Sequence, residues 1–167
     1  MGAPVKNRVV VLVAVLVVLA ATAAGVGAWL LVRDRAPQRP QISAYSHGHL
    51  TRVGPYQYCD VLNLNDCETP ETVGVLPVTS RDPVQLSVPS AIGNAPWGLS
   101  LWYEGSAEPT TALFRPRSRL AVTVPTVDAF RGRLRGLTVH LLTLVRMPDG
   151  DTAAATHADW SVQTVWG

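Results

Sequence analysis

The chain has 167 residues, 47% of them hydrophobic, and a formal charge of +2. Lys6 and Arg8 account for that charge, because from Arg33 to Gly167 12 Arg balance 12 Asp plus Glu. A folded part with no net charge argues against nucleic acid as a partner, and the length allows one domain plus an appendage.

Residues 1–8 read as a short cytoplasmic tail. Val9 to Val32 is a run of 24 residues without a charge, in which Thr22 carries the only hydroxyl. A helix of that length extends about 36 Å, against a hydrocarbon core of about 30 Å, so residues 9–32 are expected to form a transmembrane helix. Trp29, near its outer end, suits the headgroup region. Ala21-Thr22-Ala23 could instead be a signal-peptide cleavage site behind a basic n-region. The apolar run continues nine residues past Ala23, which favours an uncleaved anchor. No cysteine lies in or just after the run, which excludes a lipidated N-terminal cysteine. Arg33, Arg35 and Arg39 follow the span and only Lys6 and Arg8 precede it, so charge counting does not set the orientation. The export-signal character of the N-terminus and a cysteine pair further on place the remainder on the extracytoplasmic side of the cell membrane.

Residues 33–41, RDRAPQRPQ, are polar, contain Pro37 and Pro40, and read as a stiff linker. From residue 42 to 167 helical periodicity is absent. Strands are expected at Gln41–Ser46, Leu50–Val53 and Tyr56–Asp60, then at Pro83–Val88 with Val84, Leu86 and Val88 on one face. Trp97–Glu104 sets Trp97, Leu99, Leu101 and Tyr103 on one face, and Leu120–Val124 sets Leu120, Val122 and Val124 together. Leu137–Met147 is apolar on both faces, as a central strand would be. Trp160–Trp166 alternates, and Pro148-Asp149-Gly150-Asp151 before it is a turn signal for a terminal hairpin. Seven or eight strands in about 125 residues fit an immunoglobulin-like antiparallel β-sandwich, although the Cys–Trp–Cys spacing of antibody domains is absent.

Cys59 and Cys67 enclose seven residues. In an exported chain they read as a disulfide, and their spacing is too long for a zinc module. His47-Gly48-His49 would place two imidazoles on one side of an extended strand, half of a copper or zinc site. A turn at Gly48 would instead leave both rings solvated. His140, in the apolar central strand, and His157, beside the last hairpin, read as hydrogen-bonded structural residues. Asp149 and Asp151 read as turn residues, since no calcium-loop spacing follows. Trp97, Trp102, Trp160 and Trp166 read mainly as core, with one or two at the surface.

Two Phe-Arg-x-Arg-x-Arg runs carry Arg115, Arg117, Arg119 and Arg131, Arg133, Arg135, with Asp128 as the only counter-charge between them. Where extended, each run projects its arginines on one face. That stripe could hold an anionic lipid headgroup, an acidic glycan or an acidic protein. It could equally be a solvated edge that discourages strand pairing.

The stretches SHGHLTRVGPYQYCD, PVQLSVPSAIGNAPWGL, FRPRSRLAVTVPTVDAFRGRL and ADWSVQTVW, with Cys67, resemble a family of uncharacterised actinobacterial, mycobacterial-type envelope proteins known as a domain of unknown function. The resemblance spans residues 41 to 166, and the run from Pro83 to Trp97 is its most specific piece. It implies a small secreted or membrane-anchored domain, and it carries over no catalytic residue. The expectation is a non-catalytic, membrane-anchored binding or accessory module without a cofactor, acting on another envelope or membrane protein or on an anionic lipid or glycan. A linker of nine residues, reaching at most roughly 30 Å, would keep it beside the membrane. The alternatives are a metal-binding accessory using His47 and His49, or an envelope hydrolase. The hydrolase would need Ser, His and Asp within hydrogen-bond reach in a polar cleft.

Overall fold

The computed structural model describes residues 4–33, 39–146 and 150–167. One compact unit contains helix α1 (Pro4–Arg33). Within α1, Val9–Leu31 has a mean hydropathy of 2.9 and is long and apolar enough to cross a membrane, a property a signal sequence shares. A helix suits such a segment because it satisfies its backbone polar groups internally. Thr22 Oγ1 donates to the carbonyls of Val18 and Leu19, both at 2.9 Å, so the hydroxyl of this run is bonded to its own helix.

The second unit runs from Arg39 to Gly167. It therefore takes in the last residues of the expected linker, whereas 34–38 lie outside the described residues. Trp160 Nε1 donates to the Pro40 carbonyl at 2.8 Å. The Arg39 guanidinium pairs with Glu68 at 2.9 Å and lies 4.4 Å from the centre of the Tyr58 ring.

In chain order the unit contains β1 (Ile42–Ser46), β2 (His49–Val53), β3 (Gln57–Cys59), β4 (Cys67–Glu68), β5 (Val73–Val78) and β6 (Val84–Ser87). A single turn of helix, α2 (Ser90–Gly93), leads to β7 (Trp97–Tyr103), β8 (Thr110–Phe114), β9 (Ala121–Val124), β10 (Val127–Asp128), β11 (Gly132–Arg146) and β12 (Thr152–Trp166). One sheet has four strands in the order β2-β1-β6-β9. The other has eight, in the order β4-β3-β12-β11-β7-β8, with β10 on β11 and β5 on β12. All pairings are antiparallel except β5 with β12.

Alternation explains the strands. Ile42 and Ala44 on β1, Val84 and Leu86 on β6, Trp97, Leu99 and Tyr103 on β7, and Trp160 and Val162 on β12 all point into one shared core between the sheets. At about 25 cal/mol per Å² of apolar surface removed from water, this burial is the main favourable term of the fold. Trp97, fully buried, stacks on Phe114 with ring centres 4.2 Å apart. The expected strands are present, with β11 central between β7 and β12. The terminal hairpin is longer than expected, since each of its strands has 15 residues. Pro148 and Asp149 of its turn lie outside the described residues, and Gly150 has φ +92.

Four strands lack a counterpart in the sequence reading: β4, β5, β8 and β10. Two irregularities interrupt the pairing of the long strand β11, the first with β7 and the second with β12. Register shifts between Leu134 and Gly136 on β11, and again between Leu141 and Leu142 opposite His157. The first is a bulge, an extra residue in one strand of the pair. It lets Leu134 and Leu137, three apart, both face the core.

Candidate functional site

The outward face of the eight-stranded sheet carries the polar chemistry of the domain. Strand register builds it in three cross-strand rows. Trp102 lies opposite Gly136, which lies opposite Gln163; Ser100 opposite Thr138, opposite Ser161; and Gly98 opposite His140, opposite Asp159. Successive rows are about 6.7 Å apart, twice the rise per strand residue. Each of these positions alternates with a core residue, as Ser100 does between Leu99 and Leu101.

A groove of about 520 Å³ runs along this face. Gly136, Thr138 and Ser161 line it, with Trp102 and Ala107 on one side, Val73 on the other, and Arg135 and Gln163 at one end of the rows. Trp102 is 42% exposed, unlike Trp97 and Trp160, which are buried. Arg135 is the extra residue of the bulge, so it stands beside Gly136 on the groove side; bulges commonly re-aim side chains in this way. A Cβ on Gly136 would come within 2.8 Å of the Val162 carbonyl oxygen, so the two strands leave no room for a side chain there.

At the far end of the rows three side chains form a hydrogen-bonded chain. Ser100 Oγ lies 2.9 Å from His140 Nε2, and His140 Nδ1 lies 2.6 Å from Asp159 Oδ1. Ser100 Oγ is also 3.2 Å from Thr111 Oγ1. Gly98, opposite His140, adds no side chain beside the ring. The order of groups is that of a nucleophile, a base and an orienting carboxylate. Ser100, however, is only 5% exposed. The backbone of β7 is paired on both sides, to β8 and β11, so its N–H groups are committed to ladders and not free to stabilise an oxyanion.

The two arginine runs do not form one stripe. Residues 116–118 form a turn in which Arg117 has φ +59, so Arg115, Arg117 and Arg119 do not project from one face of a strand. This run follows β8 near the Trp97 end of β7, whereas Arg131, Arg133 and Arg135 lie at its Tyr103 end, roughly 20 Å away along seven strand residues. Within the second run, Arg131 sits in the turn before β11 and donates to Thr110 Oγ1 at 2.6 Å. The Arg133 guanidinium lies 5.0 Å from the Trp166 ring centre, and Arg135 lines the groove. Asp128 is less a counter-charge than a turn residue. Its carboxylate accepts the backbone N–H groups of Phe130 and Arg131, each at 2.9 Å, and these bonds hold it below the usual carboxylate range.

The His-Gly-His triplet is a turn, not an extended strand. His47 and Gly48 both have positive φ, +47 and +82, and join β1 to β2 as a two-residue hairpin loop. His47 Nδ1 bonds Asp82 Oδ2 at 2.9 Å, while His49 opens β2. The shared strand face that a two-histidine site needs is therefore missing. No group of three or more His, Cys, Asp or Glu suited to a metal occurs among the described residues. Cys59 and Cys67 are disulfide-bonded across β3 and β4. His157, buried at the second irregularity, leaves Nδ1 without a partner, and burial pushes its imidazole below the ordinary range against the opposing pull of Asp159.

A family model described as "Protein of unknown function (DUF2771)" matches residues 35–165. Uncharacterized protein Rv0875c of Mycobacterium tuberculosis (strain H37Rv) and uncharacterized protein Mb0899c of Mycobacterium bovis are each 57% identical to the chain, over 96% of its length and 99% of theirs. No solved structure is significantly similar.

Proposed function

The chain belongs to the DUF2771 family, and from that premise we propose that it is a membrane-anchored, extracytoplasmic binding module of the cell envelope. The groove on the eight-stranded sheet is its ligand site. The observation that carries this reading is the bulge that sets Arg135 beside the exposed Trp102 over a polar floor. A groove of this volume with a few convergent polar groups is the usual form of a small-ligand site. An apolar helix of membrane-spanning length and a disulfide, a bond that persists in oxidising compartments, support the location.

The immunoglobulin-like reading of the domain is supported by strand order. β12, β11, β7 and β8 are neighbours, β1, β6 and β9 lie in the other sheet, and β7 carries a buried tryptophan, Trp97. Fold class carries no function by itself, so the test addresses the groove. A photo-crosslinking residue at Gln163 of the full chain in intact membranes should give a discrete adduct, and one at Leu50, on the other sheet, should not. Arg135→Glu should abolish that adduct without lowering the melting temperature. Equal adducts from both positions, or an adduct indifferent to Arg135→Glu, would refute the site.

A second reading, acyl transfer at Ser100, is favoured by the Ser100–His140–Asp159 chain alone. Its buried serine and engaged backbone make a structural tie between β7, β11 and β12 the better account. A fluorophosphonate that labels the chain but not Ser100→Ala would reverse that preference.

A further inference from the structure

We infer that the occupant of this groove is an acidic oligosaccharide, lying across the strands from Trp102 to Val73 with a carboxylate or phosphate at Arg135. The inference rests on the binding-module reading and specifies the ligand.

Four features of the face select this class. The first is the floor. Thr138, Ser161 and Gln163 offer both donors and acceptors, the complement of a ligand dense in hydroxyl groups. From Trp102 on β7 across β11 and β12 to Val73 on β5 is three strand spacings, roughly 14 Å, long enough for more than one sugar ring. The second is Trp102. An exposed indole beside polar groups presents a flat apolar surface with a polar tip, and the C–H face of a pyranose can lie against it.

The third feature is charge. Arg135 is the one charged side chain among the described residues that line the groove. A guanidinium binds carboxylate or phosphate through paired N–H groups. The ligand therefore carries an acid where it meets Arg135. The fourth is the arrangement of apolar residues. Protein interfaces bury an apolar centre inside a polar rim. Here the centre is polar, while the exposed apolar side chains, Val73, Val75, Val165 and Leu113, come from the flanking strands and the end of β12. That inversion disfavours face-to-face docking of a second copy or of another protein.

The experiment is titration of the full chain in detergent micelles, followed by calorimetry. The probes are trigalacturonate and a phosphorylated oligomannose, each beside its neutral counterpart (the methyl ester and the unphosphorylated sugar). At least one acidic probe should bind tenfold or more tighter than its neutral counterpart. Arg135→Gln should remove that advantage. Trp102→Ala should weaken both forms tenfold or more, and Trp102→Phe should retain most of the affinity. Phosphatidylglycerol vesicles should not displace the bound sugar.

Equal affinity for acidic and neutral probes, no effect of Arg135→Gln, or displacement by the vesicles would overturn the inference. If no sugar binds but the Gln163 adduct persists, the oligosaccharide is wrong and the binding site stands. If both fail, the reading beneath it fails as well.

Discussion

Deleting one residue from the middle of the longest strand should leave the fold intact if the bulge at Arg135 is read correctly. Leu134 and Leu137 both face the core because one extra residue separates them. Without Arg135, the order Leu134-Gly136-Leu137 alternates regularly, and every buried residue of β11 keeps its side. The expected cost is confined to the Leu134 carbonyl, which accepts from Thr164 Oγ1 and from Trp166 Nε1. Two such bonds, at about 1 kcal/mol each, limit the loss to about 2 kcal/mol. Deleting Thr138 is the contrasting perturbation. Because the side-chain period is two, it turns Val139 and Leu141 outward and His140 inward. Exposing those two side chains costs about 1.5–3 kcal/mol each, before the penalty of burying the imidazole. The Thr138 deletion thus removes much of a typical stability of about 5–15 kcal/mol, and the Arg135 deletion does not. Urea unfolding of the full chain in micelles, followed by tryptophan fluorescence, measures both. Equal destabilisation by the two deletions would refute the assignment of Arg135 as the extra residue.

Three further outcomes follow from the described geometry. Replacing Cys59 and Cys67 by Ser should cost about 2–3 kcal/mol in the chain-entropy model for so short a loop, read as a lower urea midpoint. His157 titrates lower in the folded chain than its ordinary value of 6.5, so the unfolded chain binds the extra proton first. Its contribution is therefore complete above pH 6.5 and is lost as pH falls below it. His157→Asn should flatten the wild-type decline below about pH 6.5 in thermal melts, whereas Asp82 and Asp128, lowered from 3.8, act only in stronger acid. Finally, alkaline phosphatase fused after Gly167 should be active in cells, since that enzyme needs an oxidising compartment; an inactive fusion of full length would place the domain in the cytoplasm.

Strands with clean alternation were legible in the residues alone. Val84, Leu86 and Val88, or Trp97, Leu99 and Tyr103, announce one buried face, and that pattern also puts Trp102 on the other side. β5 was not legible, because Val73 and Val75 face outward while Leu76 and Val78 face in, and Pro77 looks like a breaker. Proline is tolerated there because β5 is an edge strand. β8, with two threonines and an exposed Leu113, lacks a contrast between its faces. The arginine runs share one face only where extended, whereas the first turns at Arg117 and the second contains the bulge at Arg135. Ser100, His140 and Asp159 meet only through strand order, 40 and 19 residues apart in the chain. The signal that could have found them is a polar residue between two apolar ones in each core strand: Ser100 between leucines, His140 between Val139 and Leu141, Asp159 between Ala158 and Trp160.

β12 pairs with β11, β3 and β5, and all three precede it in the chain. Until β12 arrives, β5 has no ladder, the disulfide hairpin has nothing to dock on, and one side of β11 is bare. Such distant pairings raise contact order and slow folding. The β5 ladder and the docking of the disulfide hairpin are thus completed only when this hub strand is in place.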